Sequence, residues 1–500
     1  MTCWGRLAGA GLALACCAPG TGSAQGYRIR LDTRFQTVAF RGVTPDSIAS
    51  PSAVTGSSGA LETPDGFAVT CAPGAAFCTF FRPGPRLTSA PFVSSADVTV
   101  WGLGLPGLSF RANARWGVDL KDDFWPGTQP ALQLLEGYAE YSIPWLTGRL
   151  GRQHVPGRLG WTGIDGAAVT LRLPGPGLEL TGYGGWGLAR GLDVPINSPA
   201  LNPLDEFQLS DRHLTAGATL GLRSRWADLR AEYRREVDPS VDFFISERAA
   251  VTAVFRPAGR LTLRGGTEYD LAQGWWGTSD LFAGYADARL SLDAGVKRYR
   301  PYFELWTIWG AFSPVPYTSI QGSAAFSPFR ELRLRAGGER YWYSESEAET
   351  PLASFEDRGW RTWAAATAVV SPALTLDGGY RAEFGPGASA RTWDARVTWI
   401  PRPSLTLAAF GSTFTRPLEL RFDDAKVWAA GIDAGLRASD QLQLAVTAAQ
   451  YFEDRRRPDA GAFDWNQFRL HARVTWVFGS DADHLRLPPA IRGARRRVAR

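Results

Sequence analysis

The chain has 500 residues, 45% hydrophobic and 12% aromatic, with 20 tryptophans and a formal net charge of +5. So small a net charge on so long a chain argues against a nucleic-acid partner. Past the first two dozen residues no apolar run reaches the ~18 needed for a spanning helix, and no zinc spacing, phosphate loop or dinucleotide fingerprint is present.

In chain order, "MTCWGRLAGAGLALACCAPGTGSAQ" opens with Arg6, an apolar stretch Leu7–Cys17 and the small residues Gly22-Ser23-Ala24. That is the pattern of a secretory signal peptide over 1–24; Leu14-Ala15-Cys16-Cys17 vaguely resembles a lipobox, the alternative for the same segment. Three of the five cysteines leave with the leader. The remaining two, Cys71 and Cys78, flank Pro73-Gly74, and in an oxidising compartment they are expected to form a disulfide.

From there a two-residue rhythm takes over, the mark of strands with two unlike faces. "RIRLDTRFQ" sets Ile29, Leu31, Thr33 and Phe35 against Arg28, Arg30, Asp32, Arg34 and Gln36 in a first strand over about 27–42. The same alternation returns in "LSFRANARWGVDL" (108–120), "ADLRAEYRR" (227–235), "RTWDARVTW" (391–399) and the last strand, "DWNQFRLHARVTWVF" (464–478). Tight turns, often opened by Pro, are expected near 105, 145, 175, 225, 258, 292, 329, 372, 402 and 438. Longer segments lie between them: 43–93, 121–132, 188–212, 305–316, 342–357, 414–425 and 452–463.

Short turns at one end, long loops at the other and strands of about ten residues predict an all-β chain. The expected fold is a transmembrane antiparallel up-and-down β-barrel over 25–478, with about 22 strands within a range of 18–24. A closed sheet satisfies its backbone where lipid cannot. One face of each strand then meets outer-membrane lipid and the other a lumen.

The lumenal candidates are Arg30, Arg34, Arg111, Arg115, Arg149, Arg230, Arg234, Arg264, Arg333, Arg335, Arg381, Arg396, Arg469 and Arg473, with Asp32, Glu140, Glu232, Glu268 and Asp394 among them. Arginine's fork suits cross-strand ion pairs and also binds carboxylates and phosphates. A mixed-sign ladder that only solvates the wall and a ring that selects anions read alike at this level. A barrel this wide needs something to narrow it; segment 43–93, rich in Gly, Pro and Ser and stapled by Cys71–Cys78, is the sequence's candidate, the alternative being a free external loop.

The overall pattern resembles Gram-negative outer-membrane β-barrels over nearly all of the mature chain. Val474-x-Trp476-x-Phe478 looks like the C-terminal aromatic insertion signal that the barrel-assembly machinery reads. It departs from that signal because the basic segment 479–500, read as a periplasmic tail, follows the aromatic. "GRLGRQHVPGRLGWTGIDGAAVTLRL" (148–173) is similar to porin-like and alginate-export-type barrels. The resemblance implies a passive channel for small polar solutes, with a mild anion preference if the arginines select, and no cofactor. The short stretch ahead of the first strand leaves no room for a receptor-type plug. The alternative is a non-conducting barrel acting as a surface scaffold or assembly partner. An enzyme is not expected: none of His154, His213, His471 and His484 stands beside a nucleophile motif.

Overall fold

Alternating residues build long two-faced strands, and in the computed structural model 22 of them close into one sheet. The structure describes residues 26–56, 61–121, 128, 131–173, 175, 177–189, 212–239, 244–300, 316–344, 358–385, 388–416, 425–455 and 466–480. The leader, the tail beyond 480 and the aromatic-rich 305–312 lie outside these. Strand Gly26–Gln36 pairs with Pro91–Trp101 on one side and with the last strand, Gln467–Gly479, on the other. From Pro91–Trp101 onward each strand pairs antiparallel with the next in sequence, so the barrel is up-and-down throughout. The first strand, expected over 27–42, ends at Gln36 because 38–42 belong to the inserted hairpin, and the last, expected over 464–478, runs from Gln467 to Gly479.

One end carries the short connections 102–107, 144–145, 174–177, 224–226, 259–260, 287–289, 330–331, 372–373, 403–404 and 438–441. The turn expected near 292 stands at 287–289, where the Asp287 carboxylate accepts the backbone N–H groups of Arg289 and Leu290 at 2.8 Å. These bonds hold its pKa below the usual carboxylate range. In the turn 102–107, Gly107 sits at φ 86°, and a Cβ there would stand 2.4 Å from the Ser142 carbonyl oxygen. The opposite end is less uniform than the sequence suggests. Beside its long connections it has the short ones 158–159, 271–274 and 386–387.

The outer face is apolar: Leu150, Val169, Leu281, Ile320 and Ile432 are all exposed. Among the described residues all but one of the exposed tryptophans gather in two belts, Trp145, Trp226, Trp399 and Trp476 toward the short-turn end, and Trp161, Trp186, Trp276, Trp360 and Trp428 toward the other, with Trp393 between them. From Trp161 to Leu171 a tilted strand rises ~25 Å, the height of an apolar band between aromatic girdles. Twenty-two strands at ~4.8 Å spacing and ~40° tilt put opposite backbones about 40 Å apart.

The insertion expected over 43–93 spans 37–90, because residues 91–93 already belong to the barrel. Val38–Ala49 and Phe77–Ser89 pair with each other and carry the ladder of Gly26–Gln36 and Pro91–Trp101 onward. Bonds at its base tie it to the wall: Thr37 N–H to the Leu470 carbonyl at 2.9 Å, Arg86 to the Asn466 carbonyl at 3.1 Å, Ala90 N–H to Asp119 at 2.9 Å. Toward its tip Phe67, Cys78 and Phe80 are buried on one another, and Cys71 is disulfide-bonded to Cys78. Closing so short a loop constrains the unfolded hairpin by about 2–3 kcal/mol. The double variant C71S/C78S is therefore expected to admit protease within 61–79 while the barrel's urea midpoint stays put. Peptide mapping beside an unfolding curve checks this, and a shifted midpoint would mean that the hairpin supports the wall.

Candidate functional site

Strand Leu146–Gly157 returns as Gly160–Leu173 through two residues only, Arg158 and Leu159. The Arg158 N–H donates to Glu232 Oε1 at 3.0 Å and the Leu159 N–H to Oε2 at 3.3 Å, so one carboxylate caps the whole turn. Two glycines make room: a Cβ on Gly157 would stand 2.2 Å from the Glu232 carboxylate, and one on Gly266 2.4 Å from the Arg158 guanidinium. That guanidinium donates to Asp280 Oδ1 at 2.6 Å and to the Thr278 carbonyl at 3.0 Å, with Glu268 3.5 Å away.

Glu232, Glu268 and Asp280 belong to strands Ala227–Val237, Leu261–Asp270 and Trp275–Ala286, which lie three, five and six places around the sheet from Gly160–Leu173. Side chains that far apart in a closed sheet meet only by crossing its interior. The charged face is therefore the lumenal one, and the 157–160 turn bends inward across it. Leu159 is buried there.

The arginines expected on this face fall into two groups. Most are matched. Asp32 takes Arg473 and Arg34, with Arg30 at 3.7 Å and the Thr475 hydroxyl donating at 3.2 Å. Arg111 stands between Asp97 and Glu136 at 3.0 and 3.2 Å. Arg149 meets Glu140 at 2.6 Å, Arg230 meets Glu232 at 2.9 Å, and Arg234 meets Glu236 at 3.3 Å. Arg264 grips Asp293 with both amino groups, and Arg396 reaches Asp433 at 2.6 Å. Arg469 donates to the Gln467 amide oxygen instead. By contrast Arg115, Arg333, Arg335 and Arg381 carry no ion pair among the described residues. Asp394 lies against Gly379, where a Cβ would stand 2.7 Å from its carboxylate.

Sequence reasoning missed Arg158 and Arg361. Arg361 bridges Glu339 at 3.1 Å and Glu383 at 2.7 Å. It sits near the start of strand Arg358–Ser371, while Arg158 sits in a turn where no alternation marks it. Just ahead of strand Leu214–Arg223, burial pushes His213 below its ordinary pKa, and its ring packs over Gly187.

Between strands Trp275–Ala286 and Leu374–Gly385 the wall is hollowed into a recess of about 410 Å³. Trp363, Arg361, Arg381, Glu339, Asp293 and Phe282 are among the residues that line it. Trp363 lies over Gly337, where a Cβ would stand 2.7–2.8 Å from the indole. Phe282 lies over Gly295 and carries the Arg264 guanidinium 4.9 Å from its ring centre.

No protein-family model matches the chain, and no curated protein is similar to it. Solved structures do share its fold. It is similar to the ferric enterobactin receptor of Pseudomonas aeruginosa, PfeA, with a TM-score of 0.54 and 11% identity over 92% of this chain and 82% of that one. It is also similar to the siderophore receptor PirA of Acinetobacter baumannii, with a TM-score of 0.53 and 10% identity over 92% and 81%. A BenF-like porin from Pseudomonas fluorescens Pf-5 covers 91% and 99% at 11% identity, but its TM-score of 0.40 supports no argument. At these identities the likeness is one of fold, that of an outer-membrane β-barrel.

Proposed function

We propose that the chain is an outer-membrane pore through which small polar solutes diffuse, anions somewhat more readily than cations. The observation that carries this reading is a closed 22-stranded wall with an apolar, tryptophan-belted outside and a charged inside. Lipid surrounds the outside and water the inside. The ten short turns face the periplasm and the longer loops the exterior, and both ends of the barrel then lie on the periplasmic side. The leader 1–24 exports the chain, and the periplasmic tail expected from 479 starts only past Ser480, since Gly479 pairs with Arg28 in the wall and Ser480 bonds to Tyr27. Trp476 and Phe478, whose ring centres are 4.9 Å apart on the closing strand, suit the signal read by the barrel-assembly machinery. The turn at Arg158, bent over the lumenal face, narrows the lumen.

Anion preference follows from charge balance, since Arg333 and Arg335 on Leu332–Tyr343 and Arg381 on Leu374–Gly385, with one strand between them, stand without a carboxylate partner among the described residues. The triple variant R333Q/R335Q/R381Q is expected to move the reversal potential in a salt gradient toward zero. A potential that does not change would take these arginines out of selectivity. The reading itself is tested by single-channel recording of the mature, heat-modifiable barrel in a planar bilayer. Discrete current steps are expected. Silence from a folded barrel would favour a surface scaffold or assembly partner instead.

A further inference from the structure

Most charges on the lumenal wall are already matched, so the groups that are not matched stand out. In the 410 Å³ recess the carboxylates are engaged: Glu339 and Glu383 by Arg361, Asp293 by both amino groups of Arg264. The Phe282 ring is covered as well, by Gly295 beneath and the Arg264 guanidinium above. Two groups remain uncommitted among the described residues. Trp363 rests over Gly337 and has no stacking partner on its other side, and Arg381 is exposed and has no ion pair. They are direct cross-strand partners in the ladder of Arg358–Ser371 and Leu374–Gly385, which sets their side chains about 5 Å apart at the base. Gln321 and Ser323 add neutral hydrogen-bonding groups to the same recess.

The geometry points to a binding site for small planar carboxylates, aromatic acids above all. The carboxylate would take the Arg381 fork in paired charge-assisted bonds. The ring would lie on the open face of Trp363. An aliphatic acid of the same size would lose the stacking, and a neutral ring would lose the fork. A sugar would find a platform, but the carboxylates beside it, Glu339, Glu383 and Asp293, are already drawn to arginines. This inference rests on the reading of the lumen as a path for small solutes, and it names what that path retains.

The test is read by binding, so that it stands apart from conduction. Benzoate, cyclohexanecarboxylate, benzyl alcohol and glucose are titrated against the mature barrel in detergent by saturation-transfer NMR. Benzoate is expected to bind best. R381Q and W363L are each expected to weaken it about tenfold, the size of one bidentate charged contact, and R381K, which keeps the charge without the fork, by less than R381Q. Arg381 is exposed and unpaired, so R381Q should keep the wild-type urea midpoint. Benzoate binding that is indifferent to both R381Q and W363L overturns the proposal, and glucose binding in preference to benzoate replaces it with a carbohydrate site. A barrel that binds benzoate through Arg381 yet carries no current would sink the pore and leave the site standing.

Discussion

Replacing Arg158 with alanine is expected to raise single-channel conductance about twofold or more, because it frees the turn that bends into the lumen. The arginine side chain is the clamp. It holds Asp280 at 2.6 Å and the Thr278 carbonyl at 3.0 Å, and all three charged groups are largely shielded, with side-chain exposures of 14% for Arg158, 19% for Glu268 and 22% for Asp280. Deleting one partner of such a group leaves the others uncompensated, at a cost of about 3–5 kcal/mol. That shifts the docked turn toward the wall by at least two orders of magnitude in equilibrium, at 1.4 kcal/mol per tenfold. The backbone bonds to Glu232 alone are a weaker tether, so E232A should add to the effect. Conductance measured at one salt concentration for wild type, R158A, R158K and the double variant checks this. Equal conductance in all four would show that the turn is not the constriction.

The second large effect is expected at the seam, where Gly26–Gln36 meets Gln467–Gly479. Asp32 gathers Arg473 and the Thr475 hydroxyl from the last strand and Arg34 and Arg30 from its own. Remove its charge and three guanidiniums face one another across the junction. The arginines are partly solvated, which softens the repulsion, so D32A is expected to cost about 2–3 kcal/mol rather than the full value of a buried pair. D32N keeps an acceptor and should cost less. Both should lower the urea concentration at which the barrel loses its heat-modifiable mobility on a gel. An unshifted midpoint in D32A would mean that backbone pairing alone closes the seam.

What the sequence made legible, and what it hid, divides along a physical line. Alternation betrays any strand with lipid on one side and water on the other, which is why Leu108–Asp119 or Gln467–Gly479 can be read residue by residue. Tight turns announce themselves by Pro, Gly and Asp, and the stations near 105, 145 and 372 all hold turns. The hairpin in 37–90 was hidden because Pro45 and Pro85 argue against strands. A two-stranded ribbon has free edges on both sides, where a missing N–H is tolerated, and the pairing of Pro45 with Phe81 lies there. The inward turn was hidden for a different reason. Its contacts join Arg158 to residues 74 and 122 positions away, and no local period records a contact made across a lumen. The same holds for the recess: Trp363 and Arg381 read as isolated side chains until the ladder sets them opposite each other.

Apart from the seam, every junction in the wall joins strands adjacent along the chain or, at 37–90, strands separated by one inserted hairpin. The seam alone joins residues more than 430 apart, with the Ser480 N–H donating to the Tyr27 carbonyl at 3.1 Å. The wall is thus a ring with a single nick, and the position of the nick is a genetic accident rather than a mechanical one. Joining residue 480 to residue 26 and opening the chain at the two-residue turn 259–260 should yield the same ring from a permuted gene. What would change is the order of assembly, since the strands flanking Gly259 would then have to find each other last, and the clamp at Asp32 would form early as an ordinary hairpin contact.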